Sequence, residues 1–468
     1  MKRTFLVFLA TLMLFQLPLE ARSESEGAAN VLLVESVGLW SEFSSNPNNN
    51  FEDALVRFIL ITRIDRSLSA IVSQYPTSDL AVKLVIGESV GPLSLAAIQT
   101  ELAGSKSLVN RLCFSEPTVE CVFAAAKAAR HEITDDEQRA RTLSLTIGAL
   151  LANRVDDTKV ELAQKAKTQL VDSPYEFAET GNCIARALAK LGRFSDALAL
   201  IGGSDRNREH TLAYIAGQMA KSGEVEDAIS VVADIPSAPA RTVALTGIAK
   251  AQAAGGATSN ARATFFAAIS TAESIADKRA REVALSRVLG SKVVAGILEG
   301  VQEAAVAISD DAMRRRVEAD LLEAQLNRMP LENAIDVAET KGDEILQVKL
   351  LCSHASGADP RAAARILEAA YSVASSIDDS LVRARALRMV ARKSIETSQT
   401  ENVLAIAETV IALAGGIQHE YSRFFEVRRA AGLFVQAGET VRATEVVLAI
   451  DDPYWRAIGL AEVASWMP

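Results

Sequence analysis

Five residues carry the one pattern in this chain with a recognised nucleophilic chemistry. Gly87-Glu88-Ser89-Val90-Gly91 fits G-x-S-x-G, which places a serine on a sharp turn between a strand and a helix. As a hydrolase this chain would put Ser89 after a strand over Ala81 to Ile86, with an acid and a histidine downstream. The chain has four histidines, His131, His210, His354 and His419, and all fall in or between stretches with helical spacing. The competing reading makes Gly87 and Gly91 the end of a helix and a turn, with Ser94 capping the next helix. It is the reading adopted, because the motif alone is a frequent chance match and no alternation of strands and helices follows it.

The other chemical groups are sparser. Cys113 and Cys121 flank a Ser-Glu-Pro-Thr turn and are expected to close a disulfide in an oxidising compartment, two unpaired thiols being the alternative. Cys183 and Cys352 read as small buried apolar residues. Cys352-Ser353-His354 lacks further ligands at a useful spacing, so no metal or cofactor is expected. No Walker loop, no H-E-x-x-H and no strand-linked G-x-G-x-x-G occurs. The expectation is a non-enzymatic protein.

Arginine recurs with a partner pattern. Ile, an acidic turn, Arg six residues after the Ile, then a small and an apolar residue occur at Ile235/Arg241, Ile275/Arg281, Ile377/Arg383 and Ile450/Arg456, and earlier at Ile133/Arg139. Asp135, Asp277, Asp378 and Asp451 are placed to cap the helix that follows, with the Arg one turn in. The series Arg139, Arg241, Arg281, Arg314, Arg383, Arg423 and Arg456 reads either as a ladder for an acidic peptide, polyanion or glycan, or as pairs with each repeat's own acids. The second reading is adopted, since the acid travels with the Arg. Arg383, Arg385, Arg388, Arg392 and Lys393 cover more than one helix face and make a candidate basic patch, a solvated face being the alternative.

These groups sit on a repeat. Ile184-Ala185, Ile215-Ala216 and Ile248-Ala249 are each followed, twelve residues after the Ala, by Ala197, Ala228 and Ala261. Gly192, Gly223 and Gly256 stand five residues before those second alanines, and a fourth copy has Ala430-Ala431, Gly438 and Ala443. Alanine lets two helices cross closely, and glycine ends the first in the left-handed conformation that a side chain resists. Repeat starts recur at intervals of roughly 31 to 40 residues. The small residues resemble the tetratricopeptide repeat family over about Cys121 to the C-terminus, although its Trp and Tyr are mostly replaced, as by Leu212, Leu245, Leu188 and Phe434. That resemblance implies an all-α solenoid of about nine helix hairpins, preceded by an irregular helical N-terminal region. It also implies a concave surface that binds a protein or peptide, with Met219 and Gln252 as inner-helix positions.

The expected division is a signal peptide at residues 1–21, a polar, partly ordered leader at 22–50, a helical region at 51–120 and the repeats at 121–468. Within the leader, Val31 to Trp40 is expected as a short helix, and the last segment, Ala457 to Trp466, as a cap on an open end. The signal and the absence of a later apolar stretch long enough to span a bilayer point to a periplasmic or secreted protein. Net charge is −10, so the part left after Lys2, Arg3 and Glu20 are removed carries about −11, which disfavours nucleic acid as a partner. An envelope hydrolase, at Ser89 or acting on a polysaccharide, and an inert structural spacer are the alternatives.

Overall fold

A computed structural model describes residues 19–46, 51–133, 135–202 and 205–468, which places all but the last three residues of the expected signal peptide outside the described residues. The protein is all-helical, with 79% helix in 24 helices and no strand among the described residues. None of these helices is long and apolar enough to cross a membrane. The chain forms two compact units, residues 1–139 with 451–460, and residues 140–450 with 461–468.

The first unit is organised by α2 (Phe51–Gln74), against which α1 (Leu19–Ser45), α3 (Asp79–Ile86), α4 (Leu95–Val109) and α5 (Val119–Ala129) all pack. Ile61, Ile64, Leu68 and Ile71 recur at helical spacing and are almost fully buried. The expected leader is part of this core. Residues 19–45 form one continuous helix, not a short one over 31–40, and bury Ala29, Leu39 and Phe43. Arg57 fixes the end of α1 by donating to the Phe43 carbonyl at 2.6 Å and lying 3.9 Å over its ring. Gly27, Gly38 and the polar start hide this helix from a propensity reading, whereas burial of one face stabilises it. Cys113, which follows α4, and Cys121, in the first turn of α5, are joined in a disulfide with 5.8 Å between their Cα atoms.

In the second unit, hairpins follow one another. The first helices α8 (Pro174–Lys190), α10 (Asp205–Lys221), α12 (Ala238–Ala254), α14 (Lys278–Val294), α20 (Ser380–Glu396) and α22 (Glu420–Gln436) are each 17 residues long. Between α14 and α20 come α16 (Asp311–Leu326) and α18 (Glu344–Ala355). The second helices vary far more: α9 (Phe194–Ala199), α11 (Val225–Ala233), α13 (Thr258–Glu273), α15 (Val301–Ala305), α17 (Leu331–Lys341), α19 (Pro360–Ser376), α21 (Val403–Gly415) and α23 (Thr440–Leu448). The two layers also differ in packing. Successive first helices pack directly on one another, while successive second helices hardly meet among the described residues.

The turn signals act as expected. Gly192, Gly223, Gly256 and Gly438 all have positive φ, between 75° and 93°. In each case the next residue's N–H returns to the helix, as Glu224 does to the Met219 carbonyl at 2.9 Å. Ser398 takes the same conformation at φ 59° without being glycine. Ala185, Ala216 and Ala249 are fully buried. Another close crossing lies at Gly217 of α10 and Gly247 of α12, where a Cβ on Gly247 would sit 3.2 Å from the Gly217 Cα.

The chain end also meets residues near the start of this unit. Ser465 accepts from the Arg154 N–H at 2.9 Å, and the Met467 carbonyl accepts from the fully buried Lys159 ammonium at 2.8 Å. Asp156 holds the same ammonium at 2.7 Å. The helix that ends here, α24 (Pro453–Trp466), thus finishes against α7 (Asp157–Lys167), near the start of the unit. Its Trp466 lies over Gly432 of α22, where an added Cβ would be 2.8 Å from the indole nitrogen.

Candidate functional site

Ser89 sits in a turn after a helix, not a strand. Residues 79–86 form α3, capped at its start by the Ser78 hydroxyl, which accepts from the Ala81 N–H at 3.1 Å. Gly87 closes α3 at φ 87°, and Ser94 accepts from the Ala97 N–H at 3.4 Å. The strained strand-to-helix elbow is therefore missing, and Ser89 is exposed on this turn. Ser78 is the cap because its side chain stands three residues before a free N–H.

The arginine series has a different partner from the one expected. Arg241 and Arg281 donate to the Ile235 and Ile275 carbonyls at 3.1 and 2.8 Å. Arg314 and Arg383 donate in the same way to the Ile308 and Ile377 carbonyls at 3.1 and 2.5 Å. Each guanidinium reaches back six residues and satisfies carbonyls left open where the preceding second helix ends. Ion pairs with an acid of the first turn are added at Arg139 with Asp136 and Arg314 with Asp311. Arg456 bonds the Asp451 carbonyl and pairs with Glu132, and Arg423 lies over the Phe424 ring. Asp277 and Asp135 cap as expected, but Asp379 and Asp452 take the place of Asp378 and Asp451. In both pairs the second Asp directly precedes the helix.

The expected basic patch is largely neutralised. Arg388 donates to Glu426 at 2.6 Å, and Arg385 lies 3.7 Å from the same carboxylate, which is fully buried. Arg392 and Lys393 share Glu396 at 3.2 and 2.5 Å, and the Lys393 bond holds that carboxyl below its ordinary value. Met219 is buried and offers nothing to a ligand, while Gln252 accepts from the Thr264 hydroxyl at 2.8 Å. Cys352 is buried, which pushes its thiol up to about 11, and the His354 ring nitrogens face the Leu350 and Met329 carbonyls. No group of three possible metal ligands occurs among the described residues.

Sequence reasoning missed the links between successive first helices. Glu179 accepts from Asn207 at 2.7 Å, Glu209 accepts from the Ser237 hydroxyl, and Glu282 accepts from the Ser309 N–H at 3.1 Å and from its hydroxyl. The Ser309 hydroxyl holds the Glu282 carboxyl below its ordinary value. The signal was a first-helix Glu 27 or 28 residues before a Ser or Asn at the next helix start. Farther on, Arg388 with Glu426 and Arg428 with Glu462 make the equivalent bonds.

A second cluster escaped notice because its members are far apart in sequence. His210 on α10 is held below its ordinary value by burial first, then by Arg206, Arg287 and Arg186, with Glu209 opposing. Burial, then Arg186 and Lys221, lowers Lys190. Burial raises the Tyr214 hydroxyl, and Arg186 offsets part of that. Like charges from first helices α8, α10 and α14 thus act on one another here. Compared with known protein families and with curated proteins, the chain matches none.

Proposed function

We propose that residues 140–450 with 461–468 form a tetratricopeptide-like solenoid, and that its first-helix layer binds a segment of another protein. The protein is then an exported envelope scaffold, periplasmic or secreted, and not an enzyme. The observation that carries this reading is the packing asymmetry: first helices touch their successors and second helices hardly do. A stack in which one layer is closer than the other bends toward the close layer, which makes that layer the concave side. Concave faces of helical arrays take extended peptides or amphipathic helices.

A photo-reactive residue at Tyr214 or Val243, on first helices, tests this against one at Glu226 or Phe266, on second helices. Phe266 is 74% exposed, so its failure to capture is not a matter of access. One protein recovered from both first-helix positions and from neither second-helix position is the expected result. Recovery of glycan fragments, or equal capture from the two layers, would overturn the scaffold reading and turn attention to hydrolytic activity.

A further inference from the structure

Counting back from the turn glycines Gly192, Gly223, Gly256 and Gly296 picks out one face on four consecutive first helices, α8, α10, α12 and α14. Thirteen residues before them stand Glu179, His210, Val243 and Val283; nine before, Cys183, Tyr214, Gly247 and Arg287. Six before stand Arg186, Gly217, Lys250 and Gly290; two before, Lys190, Lys221, Ala254 and Val294. Spacings of four, three and four put these on a single side of each helix. The buried residues Ile184, Ala185 and Leu188, with their counterparts Ile215, Ala216 and Met219, lie on the opposite side.

This face carries five fixed cations and one carboxylate, Glu179, which is already bonded to Asn207. The bias extends along the unit. The eight first helices from α8 to α22 hold 24 Lys and Arg against 13 Asp and Glu, while the eight second helices hold 5 against 11. A chain of net charge −10 therefore collects its positive charge on one layer. Lys250 and Arg287 are exposed, and the same face shows Val243 and Val294, the latter 78% exposed.

Deepening the scaffold reading, on which it rests, we infer that this face takes an extended segment of a protein partner in which every second residue, on the side turned to this face, is acidic and apolar by turns. Uniform polyanions would leave the valines without a counterpart, whereas a strand-like peptide, which turns residues i, i+2 and i+4 to one side, can offer both kinds of side chain there. Four first helices at axial spacings of roughly 8–10 Å present a face about 24–30 Å wide. An extended peptide covers that in about seven to nine residues.

The test uses the full chain and a fluorescein-labelled nonapeptide of the order Glu-Glu-Val-Val-Glu-Glu-Val-Val-Glu, which alternates Glu and Val along each side, read by anisotropy, beside the same peptide with Lys for Glu and a sulfated oligosaccharide. The Glu–Val peptide should bind, and weaken as salt rises. Lys250→Gln with Arg287→Gln should weaken it about tenfold. Arg361→Gln with Arg365→Gln, on second helix α19, should leave it unchanged. Both targets of the first pair are exposed, and a circular-dichroism melt of each variant shows whether the fold is kept; Lys221→Gln gives a further variant if one is lost. Equal binding of the two peptides, no binding, indifference to the first-helix pair, or tighter binding of the sulfated sugar would each overturn the inference. Where a protein is still captured at Tyr214 and Val243, only the acidic assignment falls and the scaffold reading stands.

Discussion

The crossing of α10 and α12 at Gly217 and Gly247 yields opposite outcomes for two substitutions that look alike. A methyl on Gly217 would lie 3.6 Å from the Gly247 Cα, an ordinary contact. Gly217→Ala then gains the helix propensity of alanine over glycine, about 1 kcal/mol of stability. A methyl on Gly247 would lie 3.2 Å from the Gly217 Cα and 3.9 Å from its nitrogen. Those are backbone atoms and cannot rotate away, so overpacking costs about 1–3 kcal/mol. Set against the same gain of about 1 kcal/mol, Gly247→Ala should be destabilising by up to about 2 kcal/mol. The double variant puts two methyls into one crossing and should fall below the sum of the single changes by at least about 1 kcal/mol. Urea denaturation of the wild type and three variants, followed by circular dichroism, measures all of this. Gly247→Ala matching Gly217→Ala in stability, with an additive double variant, would refute the reasoning that backbone contact sets the helix spacing here.

Four further outcomes follow from the geometry. Replacing Cys113 and Cys121 by serine should lower the stability of the first unit by about 2–3 kcal/mol, read as the shift in its urea midpoint, because the disulfide no longer restricts the unfolded chain. Arg281→Met removes the bond to the Ile275 carbonyl and should cost about 1–2 kcal/mol in the same assay. Lys159→Ala should cost about 2–4 kcal/mol, and hydrogen exchange should rise over the last turn, since the ammonium that holds the Met467 carbonyl is gone. His210, faced by Arg186, Arg206, Arg287 and Glu209, titrates below 6.5 in the folded chain. The unfolded chain takes up that proton first, so stability should decline as pH falls from about 6.5 to the folded value and level off below it. His210→Gln should remove that component of a pH–stability profile.

How much was legible follows the range of each interaction. Gly192, Gly223, Gly256 and Gly438 announced their turns because positive φ is a property of one residue and its neighbours. The caps at Asp277 and Asp135 were readable for the same reason, as was the disulfide across a short turn. The first helix was read too short because its stability comes from Ala29, Leu39 and Phe43 meeting α2, and its own composition argues weakly for it. The arginine of each repeat was visible, but its choice of a carbonyl over an acid depended on how the preceding helix ended.

The sequence by itself determined an all-helical chain, the hairpin unit and its turns, since these need only contacts within a few residues. Tertiary structure alone decided which residues join one hairpin to the next: Glu209 to Ser237, Glu282 to Ser309, Gly217 against Gly247. It also gathered Arg186, Lys190, Lys221 and Arg287 onto one face and set Met467 against Lys159. The physical reason is that the angle between successive hairpins is fixed by the packing of whole helix faces. A small change in that angle moves every partner across the interface, and no local pattern in the chain encodes it.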